Sequence, residues 1–210
     1  MRPLIYVPII HSEVDMGKTA PALRRAYAAR FGPRRWRQHQ QLIAAFWKEI
    51  EAALRHRRID YGHVKLYQDG LPVCGHEGKI VQALAAQGSP NHGLLRKLMG
   101  KGAQLVGTED PTLLLREYKQ IRAELTQPQP PLTAKRVSQS LLRRRDRFVA
   151  RRIDATLAGG ETGIVFMGAL HRVFELLPAD IRVDILLPRG LPTAQDGQRH
   201  PRKKSRKVSL

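Results

Sequence analysis

Apolar residues fall along this chain in two rhythms. The first is the short unbroken run: residues 4–10 (LIYVPII) are β-branched, aliphatic or aromatic with no alternation, the pattern of a strand covered on both faces. Residues 63–67, 104–107, 163–167 and 181–187 read as further strands. The second rhythm is helical. Between 36 and 57, Leu42, Ile43, Phe46, Ile50, Ala53 and Leu54 recur at helical spacing with charged residues between them. Ile80, Val81 and Leu84 mark a helix over 76–87, and a short helix follows through 94–99. Asp110-Pro111 supplies an N-cap and a first-turn proline for a helix to about residue 126. Residues 127–131 (QPQPP) form an internal loop, because neither flank holds enough strands to build a sheet alone. Thr133 then caps a long helix to 157, which Gly159-Gly160 ends.

Strands separated by helices predict an α/β fold: a single domain over residues 1–192, with a mainly parallel sheet flanked by helices. Apolar content almost vanishes after that, so residues 193–210 are expected to be a disordered basic tail. In sheets of this type ligands collect beyond the carboxyl ends of the strands.

Charge changes the picture for partners only. The chain carries 37 Lys and Arg against 18 Asp and Glu, and six of the basic residues lie in 199–210, leaving 31 against 18 in the rest. Such an excess attracts nucleic acid and other polyanions non-specifically, through the tail and the basic helix around Arg143–Arg152. No aromatic-interleaved basic motif stands out. The lone cysteine, Cys74, excludes an intramolecular disulfide, falls short of a zinc pattern even with His76 and Glu77 nearby, and suits a reducing compartment. The run at 4–10 meets His11, Glu13 and Asp15 without a small-residue cleavage site, and no stretch approaches membrane-spanning length. A soluble, cytoplasmic protein with no membrane partner is the expectation. Gly17-Lys18-Thr19 after the first strand lacks the first glycine of a P-loop, whose place Ser12 takes, and reads as a plain loop entering a helix.

Three of the strands end in polar residues: His11-Ser12-Glu13, Thr108-Glu109-Asp110 and Gly168-Ala169-Leu170-His171. Singly, such residues usually cap helices or face solvent. Gathered along one edge, histidines and carboxylates can ligate a divalent metal ion or serve as base and acid. In the long helix Val137, Leu141, Phe148 and Leu157 trace an apolar face on which Arg145 also lies. An arginine there snorkels outward, meets a carboxylate or points into an anion pocket.

The segment Arg145-Asp146-Arg147-Phe148-Val149-Ala150, the strand at 163–167 and Gly168-Ala169-Leu170-His171 resemble the closing half of the TraB/Tiki family, in which an arginine-bearing helix precedes a strand and a GxxH motif. The first strand with His11 is similar to that family's opening motif, although Pro8 stands in place of its glycine. Val106-Gly107-Thr108-Glu109 resembles its strand ending in an acid, and Arg144 stands where an acid often precedes the Arg-Asp pair. The wider group takes in the erythromycin-esterase and ChaN-like proteins. The resemblance implies an α/β core with its site at one sheet edge and a hydrolase acting on a small-molecule or peptide substrate. It makes His11 and His171 metal ligands or acid/base groups, Glu109 and Glu13 their partnering carboxylates, and Arg145 the anion holder. His11, Glu109 and His171 would be the ligands of a divalent metal. Members of the group differ in chemistry, from metal-dependent peptide cleavage to ester hydrolysis and haem binding, so the reaction stays open.

Overall fold

A computed structural model describes residues 1–125 and 132–187, without the side chains of Leu125 and 132–135. The loop at 127–131, the domain boundary at 192 and the tail at 193–210 lie outside the described residues. The chain runs β1 (Arg2–Ile9), α1 (Ala20–Phe31), α2 (Pro33–Arg55), β2 (Val64–Gln68), α3 (Glu77–Ala86), α4 (Pro90–Met99), β3 (Gln104–Val106), α5 (Pro111–Leu125), α6 (Leu132–Thr156), β4 (Thr162–Gly168) and β5 (Ile181–Ile185). The five strands form one sheet in the order β3-β2-β4-β1-β5, and every pairing is parallel. The fold is thus the single-domain α/β architecture the strand–helix alternation predicts.

Both faces of the central strands are covered, which is why β1 and β4 read as apolar runs, whereas the edge strand β5 alternates and leaves Arg182, Asp184 and Ile185 exposed. On one face Ile5, Val7 and Ile9 of β1 and Ile164 and Phe166 of β4 meet Phe46, Trp47 and Ile50 of α2 and Leu94, Leu95 and Leu98 of α4. On the other, Leu4, Tyr6, Val165 and Met167 meet Val149 and Ile153 of α6 and Leu157 just beyond it. Pro8 sits in a central strand without breaking it. It lies beyond the β1–β5 ladder, whose last pair is Tyr6↔Ile185, while on the other side β1 continues to pair with β4 through Ile9↔Gly168.

Three helices differ from the sequence pattern. The helix expected at 94–99 begins at Pro90, because the Ser89 hydroxyl accepts the His92 N–H at 3.1 Å and Pro90 fills the first turn. A separate helix, α1, precedes α2; it buries only Ala20, so it leaves no apolar periodicity to read. The long helix starts at Leu132, which places the expected cap, Thr133, inside it. Among the described residues no helix is long and apolar enough to cross a membrane.

Candidate active site

Parallel strands all end at one edge, so whatever follows β1, β2, β3 and β4 meets there. His11 follows β1, Asp69 β2, Glu109 β3 and His171 β4, and α6 lays Arg145 and Asp146 across the same edge. Asp69 is the hub. Its N–H extends the β2–β4 ladder to the Phe166 carbonyl at 2.8 Å. Its Oδ2 accepts from the Gly168 N–H at 3.0 Å and bonds His11 Nε2 at 3.2 Å. Its Oδ1 accepts from Arg145 Nη2 at 2.6 Å and faces His171 Nε2 at 3.5 Å.

Of the three fates open to Arg145, the structure realises the carboxylate one. Nη2 donates to Glu109 Oε1 at 2.6 Å, Nε to Glu109 Oε2 at 3.0 Å, and Nη1 to Glu117 Oε1 at 2.6 Å. The guanidinium therefore grips Glu109 with two donors and reaches Asp69 and Glu117 with the same fork. Its side chain is 4% exposed, that of Asp69 6%, and that of Glu109 0%, so these charges answer one another away from water. His171 is held from both sides. Its Nδ1 donates to Asp146 Oδ1 at 2.5 Å, the other Asp146 oxygen accepts the Arg172 N–H at 3.1 Å, and Tyr6 donates its hydroxyl to the His171 carbonyl at 3.3 Å.

The electrostatics follow from this crowding of acids around few cations. Burial works against a charged His171, but hydrogen bonds with Asp146 and Asp69 outweigh it and push the ring up to about 9. Burial likewise opposes charge on His11, and Asp69 again prevails, leaving its pKa above the ordinary value. Burial would raise Asp69 too, but its bonds with His11 and His171 hold it well below the carboxylate range. For Glu109 burial wins over Arg145 and the carboxyl is raised. With a carboxylate at each ring nitrogen, His171 is an imidazolium at neutral pH. His11, whose side chain is 29% exposed, is the member of the cluster open to solvent.

Asp15 fixes the turn that carries His11. It accepts from the Ser12 N–H and hydroxyl at 2.8 Å each, from the Ser89 hydroxyl at 2.5 Å, and bonds His92 Nδ1 at 3.1 Å. Burial disfavours its charge, but these bonds from His92, Ser89 and Ser12 prevail and take its pKa down to about 2. The segment after β1 is thereby pinned to the start of α4.

Ligand atoms of Asp69, Glu109 and His171 lie within 4.8 Å of one another, a group that can hold a metal ion. Two carboxylates and an imidazole suit a divalent first-row metal. Arg145 stands between the two carboxylates, so an ion would share their oxygens with a guanidinium and require His171 to give up a proton. Two of the three ligands expected from the sequence, Glu109 and His171, belong to this group; His11 stands outside it and reaches it through Asp69. Glu13 is placed elsewhere: its carboxylate lies 3.8 Å from Arg24 Nη1, facing α1. Asp69 and Asp146 were not among the expected site residues. Cys74 is exposed, and Glu77 accepts the N–H groups of Cys74 and Gly75 at 2.8 and 3.0 Å to shape the start of α3.

Gly168 is where the hub touches the backbone. A Cβ on this residue would stand 2.8 Å from Asp69 Oδ2 and 3.5 Å from His11 Nε2. Because Asp69 is tied on all sides, Gly168→Ala is expected to cost about 1–3 kcal/mol in urea unfolding and to return the His11 pKa toward its ordinary value in a ring-nitrogen NMR titration. An alanine variant with unchanged stability and an unchanged His11 titration would show that the carboxylate is free to retreat.

A cavity of about 390 Å³ shares Asp146 with this cluster and is lined by Leu142, Leu170 and Leu176 together with Arg143 and Arg172. In comparison with known proteins, no family model, curated protein or solved structure matches the chain.

Proposed function

We propose that the protein is a hydrolase of the TraB/Tiki and erythromycin-esterase/ChaN-like type, in which His11 activates water at the carboxyl edge of the sheet. The observation that carries this reading is the convergence of His11, Asp69, Glu109, Arg145 and His171 from four strands and one helix onto a single buried network with one solvent-facing imidazole. Asp69 orients the His11 ring and stabilises the imidazolium formed when the ring takes a proton from water. The protonated His171 and the arginine fork hold Asp69 and Glu109 in place and offset their charge, which keeps Asp69 ionised and able to stabilise that imidazolium. The leucine-lined cavity next to Asp146 accepts an apolar part of the substrate.

His11 must be neutral to act, so the rate is expected to rise with pH through the His11 pKa, above the ordinary histidine value. With a substrate drawn from a panel of chromogenic esters and short fluorogenic peptides, His11→Ala should lower kcat/KM by about 10²–10⁴-fold while leaving the melting temperature close to that of the parent. Retained activity in that variant would remove His11 from the chemistry.

A second reading, favoured by the spacing of Asp69, Glu109 and His171, places a divalent metal ion on these three residues, where it would polarise the carbonyl or lower the pKa of bound water. Elemental analysis of freshly purified protein separates the two. Stoichiometric metal that chelation removes together with activity supports the ion; full activity in metal-free protein supports the imidazole alone.

A further inference from the structure

Between Met16 and Lys48 the chain has eight lysines and arginines and no aspartate or glutamate. This stretch forms the α1–α2 hairpin. Gly32, at φ +85°, and Pro33 at the first turn of α2 reverse the chain between the two helices. Helices in globular proteins draw most of their stability from burying one face, yet α1 buries only Ala20 and α2 buries nothing before Ile43. The hairpin thus extends past the core with its outer turns in solvent.

Those outer turns are not bland. Tyr27 stacks on His39 with ring centroids 5.4 Å apart and planes at 17°, and meets Phe31 at 4.9 Å and Trp36 at 5.3 Å. The Arg30 guanidinium lies 5.0 Å over the Phe31 ring. The same hairpin exposes Arg25, Arg30, Arg34, Arg35 and Arg37, and among the described residues none of them pairs with a carboxylate; Arg24, at the base, reaches Glu13 at 3.8 Å. Rings and arginines share the same turns, as in Arg30-Phe31 and Arg35-Trp36-Arg37, which corrects the sequence reading that no aromatic-interleaved basic motif stands out. A lipid surface asks for an apolar face segregated from a basic one. Interleaved rings and guanidinium groups instead match the alternation of bases and phosphates along an unpaired strand.

We propose that the α1–α2 hairpin is a docking arm for single-stranded nucleic acid, in which the arginines hold phosphates and the Tyr27–Phe31–Trp36 cluster stacks on unpaired bases. A duplex keeps its bases stacked on one another and offers the rings nothing to cover. The proposal does not depend on the hydrolytic reading, since the arm lies apart from His171 and Arg145 in the chain and uses neither.

The test uses the full chain and a fluorescein-labelled oligodeoxythymidine of about 20 nucleotides, followed by anisotropy at several salt concentrations. The set Arg30→Gln, Arg34→Gln, Arg35→Gln and Arg37→Gln should weaken binding at least about tenfold and make the salt dependence shallower by about 0.7 per phosphate contact removed. Trp36→Ala should weaken binding about tenfold with the salt slope unchanged, and Trp36→Phe should restore it. A duplex of matched length should bind less tightly than the single strand. Charge-matched removal of Arg143, Arg144, Arg147 and Arg151 on α6 should cost less than the hairpin set. Equal losses from the two sets, or indifference to Trp36→Ala in a folded variant, would reduce the effect to general charge and overturn the proposal. Binding to phosphatidylcholine–phosphatidylserine vesicles that needs Trp36, without binding to the oligonucleotide, would assign the arm to membranes instead.

Discussion

Replacing Arg145 by methionine is expected to destabilise the fold by about 3–5 kcal/mol, the cost of removing one partner from a buried ion-pair network. The side chain donates to Asp69, Glu109 and Glu117, and two of these three carboxylates are buried. Methionine fills much of the same volume but leaves the buried Glu109 without its cation and Asp69 with only the two imidazoles. Glu109, already raised by burial, would be driven further toward protonation, so the loss should be smaller at low pH than at neutral pH. Lysine is a poor substitute, because a point charge cannot engage Glu109 with two donors while reaching Asp69. Adding Glu109→Gln to the methionine variant should recover part of the stability, since it removes one of the orphaned charges. Urea unfolding across this double-mutant cycle measures the effect, and a loss below about 1 kcal/mol for Arg145→Met would mean that the network is solvated rather than buried.

A comparable swing is expected on the alkaline side of neutrality. Folding raises the His171 pKa from its ordinary value of 6.5 to about 9. Its contribution is therefore complete below pH 6.5 and is lost as the pH climbs through 9, a decline of about 3 kcal/mol. His11, raised in the same sense, adds to the slope. At the acid end the signs reverse: Asp15, lowered to about 2, and Asp69 stabilise above the ordinary carboxylate range and stop doing so as the pH falls through their folded-state values. Unfolding free energies taken from pH 3 to pH 9.5 should describe a plateau near pH 5–6 with a fall on each side. His171→Asn should flatten the alkaline limb. A parent protein equally stable at pH 6 and pH 9 would mean that the His171 ring is neutral in the folded state.

The strands and most helices were legible because each carries a local signal. β1 and β4 are apolar runs, the other strands are short segments of mixed composition between turn residues, and α2 shows its buried face in the spacing of Ile43, Phe46 and Ile50. The α6 face traced through Val137, Leu141, Phe148 and Leu157 was right only in part: Leu141 and Leu157 are buried, Phe148 is half-buried and Val137 is exposed, while Val149 and Ile153 complete the buried face. Helix α1 was legible only as the helix that Gly17-Lys18-Thr19 enters; burying one alanine, it has no stripe from which its extent could be read. At the site, His11, Glu109 and His171 stand out as polar residues at the ends of apolar runs, and Arg145 as a charge on an apolar face. Asp69 obeys the same rule as the first three, but Gln68-Asp69-Gly70 also has the composition of a turn, and that reading hid it. Asp146 was lost among arginines; only the return of β4 beside α6 shows that its side chain meets His171. Glu13 was drawn in by its nearness to His11 in sequence, whereas the turn held by Asp15 sends it toward Arg24.

The strand order carries a consequence for how the molecule comes into being. Leu4 of β1 pairs with Gly163 on one side and Val183 on the other, so the earliest made of these five strands waits for the two made latest before either of its edges is satisfied. Until then the nascent chain can join β2 only to β3, and β1 travels as a bare apolar ribbon. Contacts this distant in sequence slow folding and lengthen the interval in which such a ribbon can find a wrong neighbour. A chain truncated ahead of Thr162 would retain His11, Asp69, Glu109 and Arg145 yet lack the strand that draws them together, and should behave as an aggregating fragment with no partial function.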